Sequence, residues 1–321
     1  MPAFDFTVPG DCTKSTRIDK YVSEIPGGIS RSHLKACATE ILVNGKGAKL
    51  SHKISAGDSV QIRWQENIPQ DIEPEDIPLR IIYEDSDVCV IDKEQGMVVH
   101  PAAGNWSGTL VSALLWRYKK SAIQNAGDEE AQLRPGIVHR LDKDTSGVMI
   151  TAKNHAAQEF LSAQFRNHRT LIKEYICICT GRPPHQHGLI TAGLVRDPKD
   201  RKRFVATQDD ARGRRAVTAY KCIACYGNYS LMKVRIYTGR THQIRAHMRF
   251  LNCPVLGDPV YGRRDPGFPS ASLMLHSYRL TITLPGHTVP SVFRAPEPER
   301  FRKTVAVLRK RHKKFIMPKD Y

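Results

Sequence analysis

Residues 134–151 read RPGIVHRLDKDTSGVMIT. An apolar, strand-forming run is broken by a dense polar cluster, His139, Arg140, Asp142, Lys143, Asp144, Thr145 and Ser146, and then resumes. Polar groups set between two buried runs need partners or line a cavity. Asp, Thr, Ser and Gly also build ordinary turns, so the pattern alone is open between a turn and a site. In a partly dry cleft, Asp142 has the chemistry of a nucleophile or general base.

A second polar cluster, YTGRTHQIRAHM, occupies residues 237–248. Gly239 predicts a turn, Thr241 a helix N-cap, and His242 and Arg245 fall three apart on one helix face. A guanidinium beside a functional carboxylate holds it ionised and oriented, whereas a His and Arg at a helix end often simply face water. His242 and His247 are five apart and miss the spacing of a helical zinc pair.

Around these clusters, β-branched and aromatic content predicts strands in IIYEDSDVCVID, GVMITAK, KEYICICTG, AYKCIACYG, YSLMKVRIYTG and RLTITLPG. TLVSALLWRYKK, NHAAQEFLSAQFRN with Asn154 as N-cap, and THQIRAHMRFLN read as helices, and FRKTVAVLRKRHKK as a basic amphipathic helix or tail. Strands and helices without a regular βαβ rhythm favour α+β over a doubly wound sheet. No glycine-rich phosphate loop is present, which argues against nucleotide-driven chemistry.

The 321 residues carry 49 Lys and Arg against 32 Asp and Glu, a formal charge of +17 that points to a polyanionic partner. No apolar run reaches the roughly 18–20 residues a bilayer needs, and the N-terminus lacks a secretory pattern. Nucleic acid is thereby favoured over a membrane surface. The eight cysteines have no framework spacing and read as reduced thiols in the cytoplasm; the lone pair Cys222 and Cys225 has no second ligand pair for zinc.

The segment 66–78, ENIPQDIEPEDIP, has five acidic residues, no basic ones and three prolines, and reads as a semi-rigid linker between segments 15–65 and 79–321. The first segment reads helix, helix, hairpin, with capping hydroxyls opening STRIDKYVSE and SRSHLKACATE and a turn at Asn44–Gly45. Counting Lys14 just before it, nine basic residues, Arg31 and Lys35 among them, outnumber four acidic ones. They suit either a solvated face or a phosphate backbone. Basic surpluses recur at 196–215, with eight basic and four acidic residues, and at 294–314, with nine and two.

The run RIDKYV…ISRSHLKACATEILVNGKGAKLSHKISAGDSVQI resembles an S4 RNA-binding domain. HRLDKDTSG and GRTHQIRAHM resemble the two signature motifs of the RluA-type pseudouridine synthases, supported by KEYICICTG, LMLHSYRL and FRAP. The resemblance spans 79–321 and, with the S4 segment, is to the branch that modifies 23S ribosomal RNA of the large subunit. It implies a catalytic domain with a mixed, largely antiparallel sheet, and an isomerase that needs no cofactor and no metal. It further implies a cytoplasmic monomer whose partner is structured RNA, free or within a pre-ribosomal particle. By position, the resemblance makes Asp142 the catalytic aspartate, Tyr175 the active-site tyrosine and Arg245 the arginine paired with the aspartate. It gives Arg140, His139, Thr145, Arg240, His242 and Leu275, with Arg31 and Lys35 of the S4 segment, to RNA or substrate binding. The family's early NKPxG segment is DKEQG here, with Asp92 and Glu94 replacing Asn and Pro; an altered loop with activity retained is expected. Alternatives are the same chemistry on another ribosomal site or on transfer RNA, a non-catalytic RNA-binding or ribosome-assembly factor, and a metal-dependent nuclease using Asp142, Asp144 and His139.

Overall fold

The computed structural model describes residues 3–10, 15–25, 34, 38–64, 72–101, 105–118, 136–167, 171–200, 202–209 and 212–315. The chain divides into two compact units, Met1–Ile72 and Glu73–Tyr321.

In the first unit, β1 (Ala3–Thr7), β3 (Ala38–Val43), β4 (Lys46–Gly47) and β6 (Ser59–Trp64) form a sheet in the order β1-β6-β3-β4, while β2 (Thr16–Arg17) pairs with β5 (Lys53–Ile54). The helix α1 (Ile18–Glu24) follows β2 directly, so Arg17 occupies the cap position that the sequence suggested for a hydroxyl. Ile18 and Val22 seal this small core with Leu34, Ile54, Val60 and Ile62. The β3–β4 turn sits at Asn44–Gly45, both with positive φ, as the Asn-Gly pair requires. Strand β1 lies outside the segment 15–65 that the sequence delimited. Its alternating Phe4 and Phe6 were legible only through their pairing with β6. The second expected helix, with Arg31 and Lys35, lies outside the described residues except for Leu34.

The second unit is built on one large sheet. Its strands are β7 (Ile81–Glu84), β8 (Val88–Lys93), β9 (Ser146–Ala152), β10 (Ile172–Thr180), β11 (His187–Arg196), β12 (Phe204–Thr207), β13 (Arg214–Tyr226), β14 (Tyr229–Ile236), β15 (Leu275–Ile282), β16 (Ser291–Arg294) and β17 (Lys314–Phe315). They run in the order β12-β11-β13-β14-β10-β15-β9-β8-β7, with β16 on β15 and β17 on β13. Every pairing is antiparallel except that of β9 with β15. This is the mixed, mostly antiparallel α+β architecture expected. Sequence reading missed β11 and β12, because Gly188 and Gly193 dilute the apolar pattern of HGLITAGLVR.

Helices cover both faces of the sheet. Cys89, Ile91 and Met149 point to one core with α2 (Leu110–Arg117), α4 (Gln243–Phe250) and α5 (Glu299–Arg311). Val88, Val90, Val148 and Ile150 point to the other, with α3 (His155–Asn167). A strand buried on both faces reads as a continuous apolar run, as VCVID and GVMITA do. Asn154 caps α3 through Ala157 N–H at 2.9 Å. The described part of the acidic segment is not free in solvent: Glu75 accepts from Gly108 N–H at 2.8 Å, and its own N–H reaches Ser112 O.

The parallel pairing places Ser146 and Gly147 beside His276 and Ser277. Gly147 has φ +115°, and any Cβ there would overlap the Ser277 backbone. Only glycine lets the two strands approach this closely. Strand β10 joins β15 on its other side with a bulge at Glu174/Tyr175. Glu174 faces away from Tyr175 and binds Arg279 at 3.1 Å and Lys233 at 2.9 Å.

Two buried histidines help lock this core. Arg300 donates to Ser146 Oγ at 2.6 Å, leaving the serine proton for His276 Nδ1 at 2.8 Å. Gln243 donates to Thr218 Oγ1, which turns its proton to His247 Nδ1 at 2.9 Å. Both rings accept at Nδ1 and are held neutral, and burial pushes each pKa from 6.5 down to about 4. The folded pKa lies below the unfolded one, so stability is lost as pH falls from 6.5 towards 4. Two such protons give a slope of up to about 2.7 kcal/mol per pH unit. Urea unfolding across pH 4–7 will show stability falling with pH, and His247→Gln will lower the slope by up to about 1.4 kcal/mol per pH unit, the share of one such proton.

Candidate active site

The turn 142–145 sits where the chain enters β9. Thr145 N–H returns to Asp142 O at 3.0 Å, which starts the strand directly after the carboxylate. Lys93, 1% exposed, braces this turn from beneath: its three ammonium protons go to Glu94 O, Met97 O and Lys143 O at 2.8, 2.8 and 3.1 Å. Burial pushes its pKa down to about 8, which leaves it charged at neutral pH. Gln95 ties Asp144 O to Leu273 O, and Gly96 N–H donates to Lys143 O at 2.9 Å. The DKEQG segment therefore anchors the Asp142 turn. The side chain of Glu94, where the family pattern has proline, reaches out to Arg80 at 3.1 Å.

The 238–243 turn is fixed by Gln243, whose carbonyl accepts from Thr238 Oγ1 and Arg240 N–H while its amide donates to Val217 O and Thr218 Oγ1. His242, not Thr241, holds the helix N-cap position, in a left-handed backbone with φ +57° and without a side-chain cap. This strained conformation turns the ring towards Asp142, with Nε2 3.8 Å from Oδ2. Phe204 N–H donates to Tyr261 Oη at 2.8 Å, so the tyrosine proton goes to His242 Nδ1 at 3.2 Å. The network thus assigns Nε2–H to the ring edge facing Asp142. Burial lowers the His242 pKa and keeps it neutral.

Arg245 is the electrostatic centre. Its Nε and Nη2 form a two-pronged pair with Asp258 at 2.7 and 2.8 Å, and Nη1 reaches Asp142 Oδ2 at 3.3 Å. Asp258 also accepts from the N–H groups of Val260 and Tyr261, and its carboxylate is fully buried. The Asp142 carboxylate, in contrast, is 22% exposed and borders a cavity of about 100 Å³. Tyr175 and Leu275 line that cavity from β10 and β15, and Thr145, Arg140, Arg240 and His242 complete its rim. Tyr175 shares a hydrogen bond with Ser277, and burial raises its pKa, keeping it a phenol at neutral pH.

A family model described as RNA pseudouridylate synthase matches residues 87–250, which include both clusters. The chain is 41% identical to the ribosomal large subunit pseudouridine synthase D of Borreliella burgdorferi, with 92% of this chain and 90% of that protein covered. The chain belongs to the RNA pseudouridylate synthase family. An uncharacterized RNA pseudouridine synthase of Aquifex aeolicus is 40% identical, with 93% of this chain and 94% of that protein covered. The human RNA pseudouridylate synthase domain containing 4 shares the fold, with a TM-score of 0.56 at 24% identity over 72% of this chain and 93% of that one.

Eight residues named from the sequence of this synthase converge on the cavity: Asp142, Tyr175, Arg245, Arg140, Thr145, Arg240, His242 and Leu275. His139 does not. Its ring stacks on Phe165 of α3 at 4.4 Å, and its Nε2 accepts Ile150 N–H at 3.1 Å. Burial pushes its pKa down to about 3, so it is a neutral support of β9 and is removed from the substrate-binding set. Arg31 and Lys35 lie outside the described residues. Sequence reading missed Asp258, Tyr261, Lys93 and Ser277 as site supports. No local signal in GDPVYG marks Asp258 as the partner of a residue 13 positions earlier.

Removing one partner of a buried ion pair strands the other charge, at a cost of about 3–5 kcal/mol. Asp258→Ala will therefore unfold at clearly lower urea concentration than wild type. Asp258→Asn, which keeps one acceptor for the guanidinium, will recover part of the loss.

Proposed function

We propose that this pseudouridine synthase acts on ribosomal RNA of the large subunit, with Asp142 as the reacting carboxylate. The observation that carries the assignment is the carboxylate itself: exposed to the cavity on one side and held by Arg245 on the other, opposite Tyr175. Isomerising uridine breaks the N1–C1′ bond, turns the uracil and rejoins it through C5, with no net redox change. Attack on C1′, attack on C6 and abstraction of a ribose proton all start from one ionised, positioned carboxylate. Arg245 supplies that position because Asp258 fixes its plane.

The target uridine must first leave its stack, which costs a few kcal/mol that phosphate contacts offset. Arg140, exposed at the rim, is placed for that task. Tyr175 stacks on the uracil and serves the last step, removal of the C5 proton. As a buried phenol it gives up its own proton while taking the new one, so that the proton lost at C5 is balanced by the one gained at the freed N1. The N-terminal unit is read as an S4-type RNA clamp, and the whole chain as a cytoplasmic monomer. Relatives from Borreliella burgdorferi and Zymomonas mobilis, 41% and 42% identical, are both named ribosomal large subunit pseudouridine synthase D, which supports the RNA class.

Pseudouridine mapping of ribosomal and transfer RNA from cells lacking the gene tests this reading. One or more large-subunit sites will be lost and restored by wild type but not by Asp142→Asn; loss confined to transfer RNA would overturn the substrate assignment. In vitro, Asp142→Asn will form no pseudouridine while binding RNA within about twofold of wild type. Tyr175→Phe will bind normally and turn over at least about 100-fold more slowly, as loss of a proton-transfer group implies.

A further inference from the structure

Beyond the 239–241 turn, on the side away from Asp142, lies a second cavity of about 380 Å³. Arg196 of β11, Phe204 of β12, Arg214 of β13 and Arg240 line it, together with Leu194, Gly239 and Thr241. Gly239, Arg240 and Thr241 are shared with the Asp142 cavity, so the two pockets are neighbours across one turn of backbone. Among the described residues three guanidiniums and no carboxylate face this space. Among the described residues neither Arg196 nor Arg214 is paired with a carboxylate. Phe204 is half-buried, with the Arg196 guanidinium 5.3 Å from its ring centre and His242 edge-on at 6.1 Å.

We propose that this cavity is a subsite for the nucleotide next to the target uridine, with its base on the Phe204–Arg196 platform and its phosphate held by Arg214 and Arg240. The proposal rests on the function assigned above and extends it to how the strand leaves the active site. A flipped uridine stays covalently joined to its neighbours, so the next phosphodiester must lie one nucleotide from the Asp142 cavity, and this pocket adjoins that cavity across the 239–241 turn. An aromatic face beside guanidiniums suits an unpaired base of any identity, because every base offers a π-face and every nucleotide a phosphate. Three unopposed positive charges match a polyanion continuous with the substrate. The Tyr261 hydroxyl, which bonds both Phe204 N–H and His242, holds the platform in register with the reacting pocket.

The first test measures binding of a ten-residue oligouridylate to the full chain at several salt concentrations. Arg196→Gln/Arg214→Gln will bind about tenfold more weakly, and its log K against log salt will be shallower by about 0.7, one phosphate contact on a single strand. Lys310 and Lys313 are exposed beyond the opposite end of β13, and Lys310→Gln/Lys313→Gln serves as the charge-matched control. An equal loss in both variants, or none in either, overturns the subsite. The second test uses a large-subunit RNA transcript that wild type converts, with an abasic residue on either side of the mapped uridine. One abasic position will raise KM at least about fivefold for wild type, and Phe204→Leu will no longer distinguish it from the intact RNA. Equal sensitivity of both enzymes to both abasic positions overturns the stacking role. Absence of conversion by wild type on every transcript would instead count against the functional reading, and the oligouridylate result would still decide the subsite.

Discussion

The centre of the catalytic unit depends on one close approach of backbone, Gly147 against Ser277. It is the point at which an otherwise antiparallel sheet accepts a parallel neighbour. Because β9 begins there, the Asp142 turn is delivered to the edge of β15, and Tyr175 arrives beside it from β10. Three side chains needed in one small space thus come from segments 142, 175 and 275, far apart in sequence but adjacent in the sheet. The Arg300–Ser146–His276 chain and the Ser277 hydroxyl bond to Val148 O tie the same junction through side chains.

Charge is organised around that junction in two tiers. Buried groups are matched closely: Lys93 has a carbonyl for each of its protons, and Asp258 four donors for its two oxygens. Such groups are tolerable in a dry core only when this complete. At the cavity the matching is deliberately partial. Asp142 Oδ2 has long contacts to Arg245 and His242, so the remaining oxygen capacity is free for a substrate. The full pairing of Asp258 is what permits the incomplete pairing of Asp142, since Arg245 is held by the former and only leans on the latter.

How much of this could be read in the sequence follows from how local each interaction is. The clusters at 134–151 and 237–248 were legible because polar residues interrupt apolar runs, and the strands around them were legible from their β-branched and aromatic content. His139 shows where that logic stops: it sits inside the polar cluster, yet its neighbour Phe165 belongs to α3, and no short-range pattern announces the stack. Thr241 looked like a cap, but Gln243 already satisfies the turn, leaving His242 to take the positive φ. Asp258 and Tyr261 were invisible because their roles are set by tertiary partners. The acidic segment was read from composition as solvated, and Glu75 instead found the N–H of Gly108.

The Glu174 ion pairs on the reverse side of β10 bear on fidelity. A strand alternates its faces with period two, so a slip of one residue would aim Glu174 at the cavity and bury Tyr175 with Arg279 and Lys233. Arg279 and Lys233, on the strands flanking β10, make that misalignment costly, because each would lose its carboxylate at once. The polarity of the catalytic face is thus guarded by ion pairs on the back of the sheet.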